Sequence, residues 1–273
     1  MYISGSMGYT LFKYMNKKIL LFSDIHDGVN YCSNADSQFI SEYLYNHSGK
    51  NKILLEEAVK DDSLKLRDLW PNSKHTQELK QLSIKYQKEI ISTDIRPLFI
   101  PFSWEVAEIN SKYYSIPIKK YLERIDSFFN NKNDYIYNKY FNSHLCNDIV
   151  STHFNELKNK YLELRPSANI HKTIGYFKEN YLNCLYNINN ILDLILELYM
   201  IILIICGEDN TYIIHTGIAH SSRMTEFMKE YYKFEIIKQS GTNEIKHIKE
   251  PPLACLYLPT DVKDMFNKKV HLF

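Results

Sequence analysis

Lys18-Ile19-Leu20-Leu21-Phe22-Ser23-Asp24-Ile25-His26-Asp27-Gly28 is the stretch whose reading decides the fold. An apolar run without polar alternation, closed by a cluster of polar residues, is the pattern of a strand covered on both faces in an α/β sheet. Working outward, residues 35–47 carry Phe39, Ile40, Tyr43 and Leu44 at helical spacing. Ile53–Leu55 is a second apolar run and ends in Glu56-Glu57. Residues 74–88 read as a helix through Leu79, Leu82, Ile84 and Tyr86, and Ile90–Ser92 leads into Thr93-Asp94-Ile95-Arg96. Strands separated by helices predict βαβ connections and a largely parallel sheet. Residues 1–16, in contrast, show no period and read as an irregular lead-in.

The middle of the chain changes character. No glycine lies between Gly49 and Gly175, and beyond about residue 112 no strand pattern recurs. Tyr113, Tyr114, Tyr121, Phe128 and Phe129 fall at spacings that one helix face can carry. Pro117 suits the first turn of such a helix, and Arg165-Pro166 suits a break between helices. The sheet pattern resumes at Thr211–His215, followed by Thr216-Gly217-Ile218-Ala219-His220 and a helix from about Ser222 to Tyr232. Phe234–Ile237 and Cys255–Leu258 read as closing strands. The expected fold is α/β: a single domain over residues 1–273, with a central largely parallel sheet flanked by helices. A mainly helical insertion, residues 112–206, interrupts it.

Composition narrows the function classes. A hydrophobic share of 45% over 273 residues excludes general disorder. Lys+Arg 33 against Asp+Glu 32 leaves no electrostatic footprint for nucleic acid, and Lys119-Lys120 with Arg124 reads as a solvated helix face. The cysteines at 32, 146, 184, 206 and 255 are scattered, without a Cys-x-x-Cys pair. That argues against a disulfide framework or zinc knuckle and for a reducing compartment. The first fifteen residues lack the apolar run of a secretory signal. Ile191 to Cys206 is the most hydrophobic stretch, but it holds Asp193 and Glu197 and reads as a buried helix. A soluble intracellular protein, with neither nucleic acid nor membrane as partner, is the expectation.

Chemistry is expected where polar residues follow strands. Asp24, His26, Glu56, Glu57, Asp94, Arg96, His215 and His220 lie at or just past strand C-termini, and in parallel sheets those ends share the ligand-binding edge. His26, Glu56, Glu57, Asp94, Arg96 and His220 are therefore the candidate catalytic residues. His26, Glu56 and His220 have the donor types to hold a divalent metal (Mn, Co, Zn or Fe) that activates water. Without a metal, a histidine serves as general base while a glutamate orients the water. Arg96 could hold an anionic group or an oxyanion. Plainer readings stand beside these. Asp24, Asp27 and Asp94 suit helix caps, Glu56-Glu57 a solvated strand end, Arg96 a partner of Asp94, His215 a satisfied core histidine and His220 an exposed one.

Asp24-Ile25-His26 resembles the first motif of calcineurin-like metallophosphoesterases, but their later Gly-Asp, Gly-Asn-His and Gly-His-x-His elements are missing from the sequence. A second resemblance uses more of the chain. Ser23-Asp24-Ile25-His26 is similar to the first Gly-x-x-His of the Tiki/TraB group and its erythromycin-esterase and ChaN-like relatives, with Ser23 in place of glycine. Leu54-Leu55-Glu56-Glu57 resembles their glutamate strand, Thr93-Asp94-Ile95-Arg96 a polar strand end, and Gly217-Ile218-Ala219-His220 matches the second Gly-x-x-His. The resemblance covers roughly residues 18–100 and 190–237 and extends to uncharacterised proteins of large DNA viruses, whose AT-rich coding the Asn, Lys, Ile and Tyr content fits. It implies a hydrolase-like pocket, with His26 and His220 as ligands or bases and Glu56 or Glu57 as acidic partner. The substrate would be a small molecule or a peptide. The alternative on the same fold is a non-enzymatic interaction or virion-associated protein that meets its partner through the helical insertion.

Overall fold

The N-terminal residues form strands after all. In the computed structural model, which describes residues 1–26, 28–59, 74–86, 89–99, 114–144, 148–165, 171–180 and 182–267, β1 (Tyr2–Ser4) and β2 (Gly8–Tyr14) precede β3 (Lys17–Asp24). Asp27, Tyr113, Cys146 and Pro166 fall outside the described residues. Gly8 to Phe12 are all buried. A strand covered on both faces has no reason to alternate, so its sequence shows no period. Gly5 turns the chain between β1 and β2 at φ 92°, a conformation that glycine adopts without strain.

The remaining elements follow in order. First come β4 (Asn30–Tyr31), β5 (Ser37–Phe39), α1 (Ile40–His47), β6 (Lys52–Ala58), α2 (Lys74–Lys85), β7 (Ile90–Asp94) and α3 (Arg96–Phe99). Then α4 (Ile118–Asn130), α5 (Asp148–Leu164), α6 (Ile174–Asn180) and α7 (Leu182–Cys206) occupy the middle of the chain. The C-terminal part holds β8 (Thr211–Gly217), α8 (Ile218–Glu230), β9 (Glu235–Gly241), β10 (Leu253–Tyr257) and α9 (Thr260–Asn267). The fold is mixed α/β, with helices flanking two sheets. The larger sheet has the order β7-β6-β8-β3-β2-β9, the smaller β4-β10-β1-β5. At the centre of the larger sheet β6, β8 and β3 run parallel, whereas β2 is antiparallel to both β3 and β9. The smaller sheet adds the parallel pairs β1–β5 and β4–β10 beside the antiparallel β1–β10, so the largely parallel character expected from the sequence is seen in both sheets.

By internal contacts the chain forms two compact units, one of Met1–Glu57, Asn72–Thr93 and Gly207–Phe273, the other of Ala58–Pro71 and Asp94–Cys206. In the first, Leu20 and Phe22 of β3, Ile213 of β8 and Ile53 and Leu55 of β6 share one core with Tyr9, Tyr43, Leu44 and Phe266. In the second, aromatic rings do the packing. Phe128 of α4 lies 5.0 Å from Phe99, 5.1 Å from Phe141 and 5.5 Å from Phe154, ring centre to ring centre. Such offset and edge-on pairs contribute beyond the area they bury. Phe128 and Phe129, the last two residues of the aromatic series read from the sequence, are buried in this core. Among the described residues one helical segment, Leu185–Cys206, is long and apolar enough to cross a membrane, and 72% of its most apolar window is buried inside the protein.

The cysteine reading needs a correction. Cys32 and Cys255 form a disulfide across a sequence separation of 223 residues. The fold brings them together because β10 pairs with both β4 and β1. No Cys-x-x-Cys spacing could reveal a pair made by strand order. The cysteine pattern therefore no longer argues for a reducing compartment.

Candidate active site

Three parallel strands end beside one another, and the site stands on those ends. In the ladder Asp24 of β3 lies opposite Gly217 of β8, and His215 of β8 opposite both Phe22 of β3 and Leu55 of β6. Polar side chains at the strand ends are then carried to one place. His215 Nε2 is 3.4 Å from Asp24 Oδ2, and Asp24 Oδ1 is 3.4 Å from His26 Nδ1. His26 Nε2 is 3.9 Å from Glu56 Oε2, and Glu56 Oε1 is 3.2 Å from His220 Nε2. The side chains form a line in which imidazole and carboxylate alternate.

Backbone and helix geometry hold the line in place. α8 begins at Ile218, directly after Gly217, earlier than the sequence suggests, so His220 sits in its first turn rather than in a loop. The Gly217 backbone N–H donates to Glu56 Oε2 at 2.7 Å, and the Thr216 hydroxyl donates to the same oxygen at 2.5 Å. These are bonds to an ionised acceptor, among the stronger kind. A Cβ on Gly217 would lie 3.3 Å from His26 Nε2 and 3.4 Å from Glu56 Oε2. Glycine lets β8 approach the two side chains without displacing either of them. Ser23, which stands where the resembling family has glycine, is buried and donates its hydroxyl to the Thr242 carbonyl at 2.9 Å. The close approach at this level falls to Gly8, the ladder partner of Ser23, where a Cβ would meet the Thr242 carbonyl oxygen at 2.5 Å.

Ionisation follows from the geometry. Asp24 beside it raises the His26 pKa to about 11; burial opposes this, and hydrogen bonding to Asp24 and Glu56 adds to it. His26 is therefore an imidazolium at neutral pH. Burial pushes the Glu56 pKa up, but the His220 and His26 rings facing its oxygens outweigh burial and hold the carboxyl well below its usual range. The side chain of His26 is 39% exposed, against 1% for Asp24, 7% for Glu56, 2% for His215 and 8% for His220. The charged ring of His26 is thus the member of the line that can meet a molecule from solution.

The other candidates sort as follows. Glu57 follows Glu56 along β6 and so points to the opposite face of the strand. Asp94 and Arg96 belong to the second unit. There Arg96 donates to both oxygens of Asp94, at 2.8 and 2.9 Å, and to Asp193 of α7 at 2.7 Å. The guanidinium is engaged by carboxylates of its own unit, the plainer of its two sequence readings. Thr216, Gly217 as a backbone donor, and Arg223 were not singled out from the sequence. Gly217 was visible as a motif glycine, but nothing in the spacing shows which atom it serves.

The trio His26, Glu56 and His220 has donor chemistry suited to Zn, Mn, Co or Fe, but its arrangement does not fit a cation. Glu56 Oε2 already accepts two hydrogen bonds. An Arg223 Nη2 lies 3.1 Å from His220 Nδ1, and arginine only donates. Nδ1 is therefore the acceptor and the His220 proton sits on Nε2, the nitrogen that a metal would need. No group of three or more metal-binding side chains is arranged to hold an ion among the described residues. Compared with known proteins, the chain matches no family model, no curated protein and no solved structure.

Proposed function

We propose that the chain is a hydrolase of ester- or amide-type bonds in a small molecule or peptide, with His26 as the proton-transfer residue. The observation that carries this reading is the position of the exposed, protonated His26 ring between two carboxylates, Asp24 and Glu56. Hydrolysis needs a donor for the leaving group and an acceptor for the proton of the attacking water. The imidazolium serves as the donor and stabilises negative charge developing on the carbonyl oxygen. Once it has given its proton, the ring lies between carboxylates and is strongly basic, so it takes the proton from water. In balance, the water oxygen bonds to the carbonyl carbon, the bond to the leaving group breaks, and one proton passes through His26. Asp24 orients His26, and Glu56 is held ionised by Thr216, Gly217 and His220. We further read residues 112–206 as a helical insertion of a single α/β domain.

The test is a screen of chromogenic esters and peptide anilides with wild type, His26→Asn and Glu56→Gln. Each substitution is expected to lower kcat/KM by about 100-fold or more, with the circular dichroism spectrum unchanged. Turnover that survives both substitutions would sink the assignment. A binding partner captured equally by wild type and His26→Asn, without turnover of any substrate, would favour the non-enzymatic or virion-associated reading instead.

A further inference from the structure

We propose that Arg223 is a positioning residue that fixes the tautomer of His220 and thereby keeps this site closed to divalent cations. Arg223 and His220 lie three residues apart on α8, on the same face of the helix. Arg223 Nη2 is 3.1 Å from His220 Nδ1, and His220 Nε2 is 3.2 Å from Glu56 Oε1. A guanidinium has donors and no acceptor and does not deprotonate in proteins. A proton on Nδ1 would point at another N–H across 3.1 Å, so the ring is neutral and carries its proton on Nε2. Its N–H then donates to Glu56 Oε1. A metal-bound histidine has the reverse arrangement: the lone pair faces the ion, and the other nitrogen donates to a carboxylate or carbonyl. His26 has a carboxylate, Asp24, at Nδ1 and turns Nε2 toward Glu56, but its charged ring keeps a proton on Nε2. Arg223 at the far side of His220 acts together with the two hydrogen bonds on Glu56 Oε2 in keeping the cluster from serving as a His-Glu-His ligand set.

The inference does not depend on turnover, and its test reads none. Histidine side-chain 15N and 13C shifts of the whole chain at neutral pH report the His220 tautomer, assigned with His220→Gln. Zinc titration of wild type, Arg223→Met and Arg223→Lys reports closure of the site. The expected results are an Nε2-protonated neutral His220 in wild type and zinc affinity about 10-fold or more higher in Arg223→Met. Arg223→Lys, which restores a donor, should bind zinc as weakly as wild type. A wild-type His220 protonated on Nδ1, singly or with both nitrogens, overturns the proposal without touching the hydrolase reading. So does zinc binding that is equal in wild type and Arg223→Met. If Arg223→Met does not fold, the wild-type shifts alone decide.

Discussion

A methyl group at position 217 would press on two side chains at once, at 3.3 Å from His26 Nε2 and 3.4 Å from Glu56 Oε2. Both neighbours can yield by a few tenths of an ångström, so Gly217→Ala should fold with a loss of about 1 kcal/mol. Catalysis tolerates such shifts less well, and kcat is expected to fall about 100-fold. Thermal unfolding and steady-state rates on one preparation separate the two effects. His26 yields a second expectation, on stability against pH. Its pKa of about 11 lies above the unfolded value near 6.5, so its stabilisation is complete below about pH 6.5 and disappears as pH rises through 11. The gap in melting temperature between wild type and His26→Gln should be widest near pH 6 and close progressively toward pH 11. A gap that widens with pH would contradict the charge state assigned to His26. From the sequence His26, Glu56 and His220 were legible as strand-end residues, and the matched Gly-x-x-His pointed to the last. The choice of Glu56 over Glu57 was not, because it depends on which face of β6 meets the site. Nor was the role of Arg223, since a basic residue on a helix has no signature of the ring it touches.

At the scale of elements, legibility tracked the number of faces each one hides. β3, β6 and β8 stood out as apolar runs with polar ends, and α2 and α8 as helical periods. β2 is buried from Gly8 to Phe12, but Gly8, Thr10 and Lys13 break its apolar run, and two-sided cover removed any alternation. Helix starts were displaced by strand ends: β5 takes Ser37–Phe39 from the expected first helix, and α8 begins several residues before its expected start. β8 is the element on which the site depends most, because it pairs on either side with β3 and β6. Ile213 at its centre is fully buried in the shared core. Ile213→Ala should cost about 2–5 kcal/mol, measured by urea unfolding, with the midpoint shifted and the slope unchanged. A cost below about 0.5 kcal/mol would mean that β8 does not occupy the interior of the sheet.

For the whole molecule, the Cys32–Cys255 link joins the segment just after His26 to a strand more than two hundred residues later. A cross-link of that span restricts the unfolded chain strongly, and its removal is expected to cost about 2–4 kcal/mol. Cys32→Ser and wild type under strong reductant should melt at the same lowered temperature. Equal melting of oxidised and reduced wild type would show the bond to be absent in solution. The order of strands carries a further consequence for synthesis. Asp24, His26 and Glu56 all leave the ribosome well over a hundred residues before β8, the strand that joins β3 to β6, is complete at Gly217. Until then two of the most apolar strands in the chain have no common neighbour, and their edges are open to pairing with other chains. The nascent protein therefore carries Asp24, His26 and Glu56 long before β8 and His220 are there to meet them. Its dependence on chaperones should be greatest during translation of residues 58–210, which separate β6 from β8 in the chain.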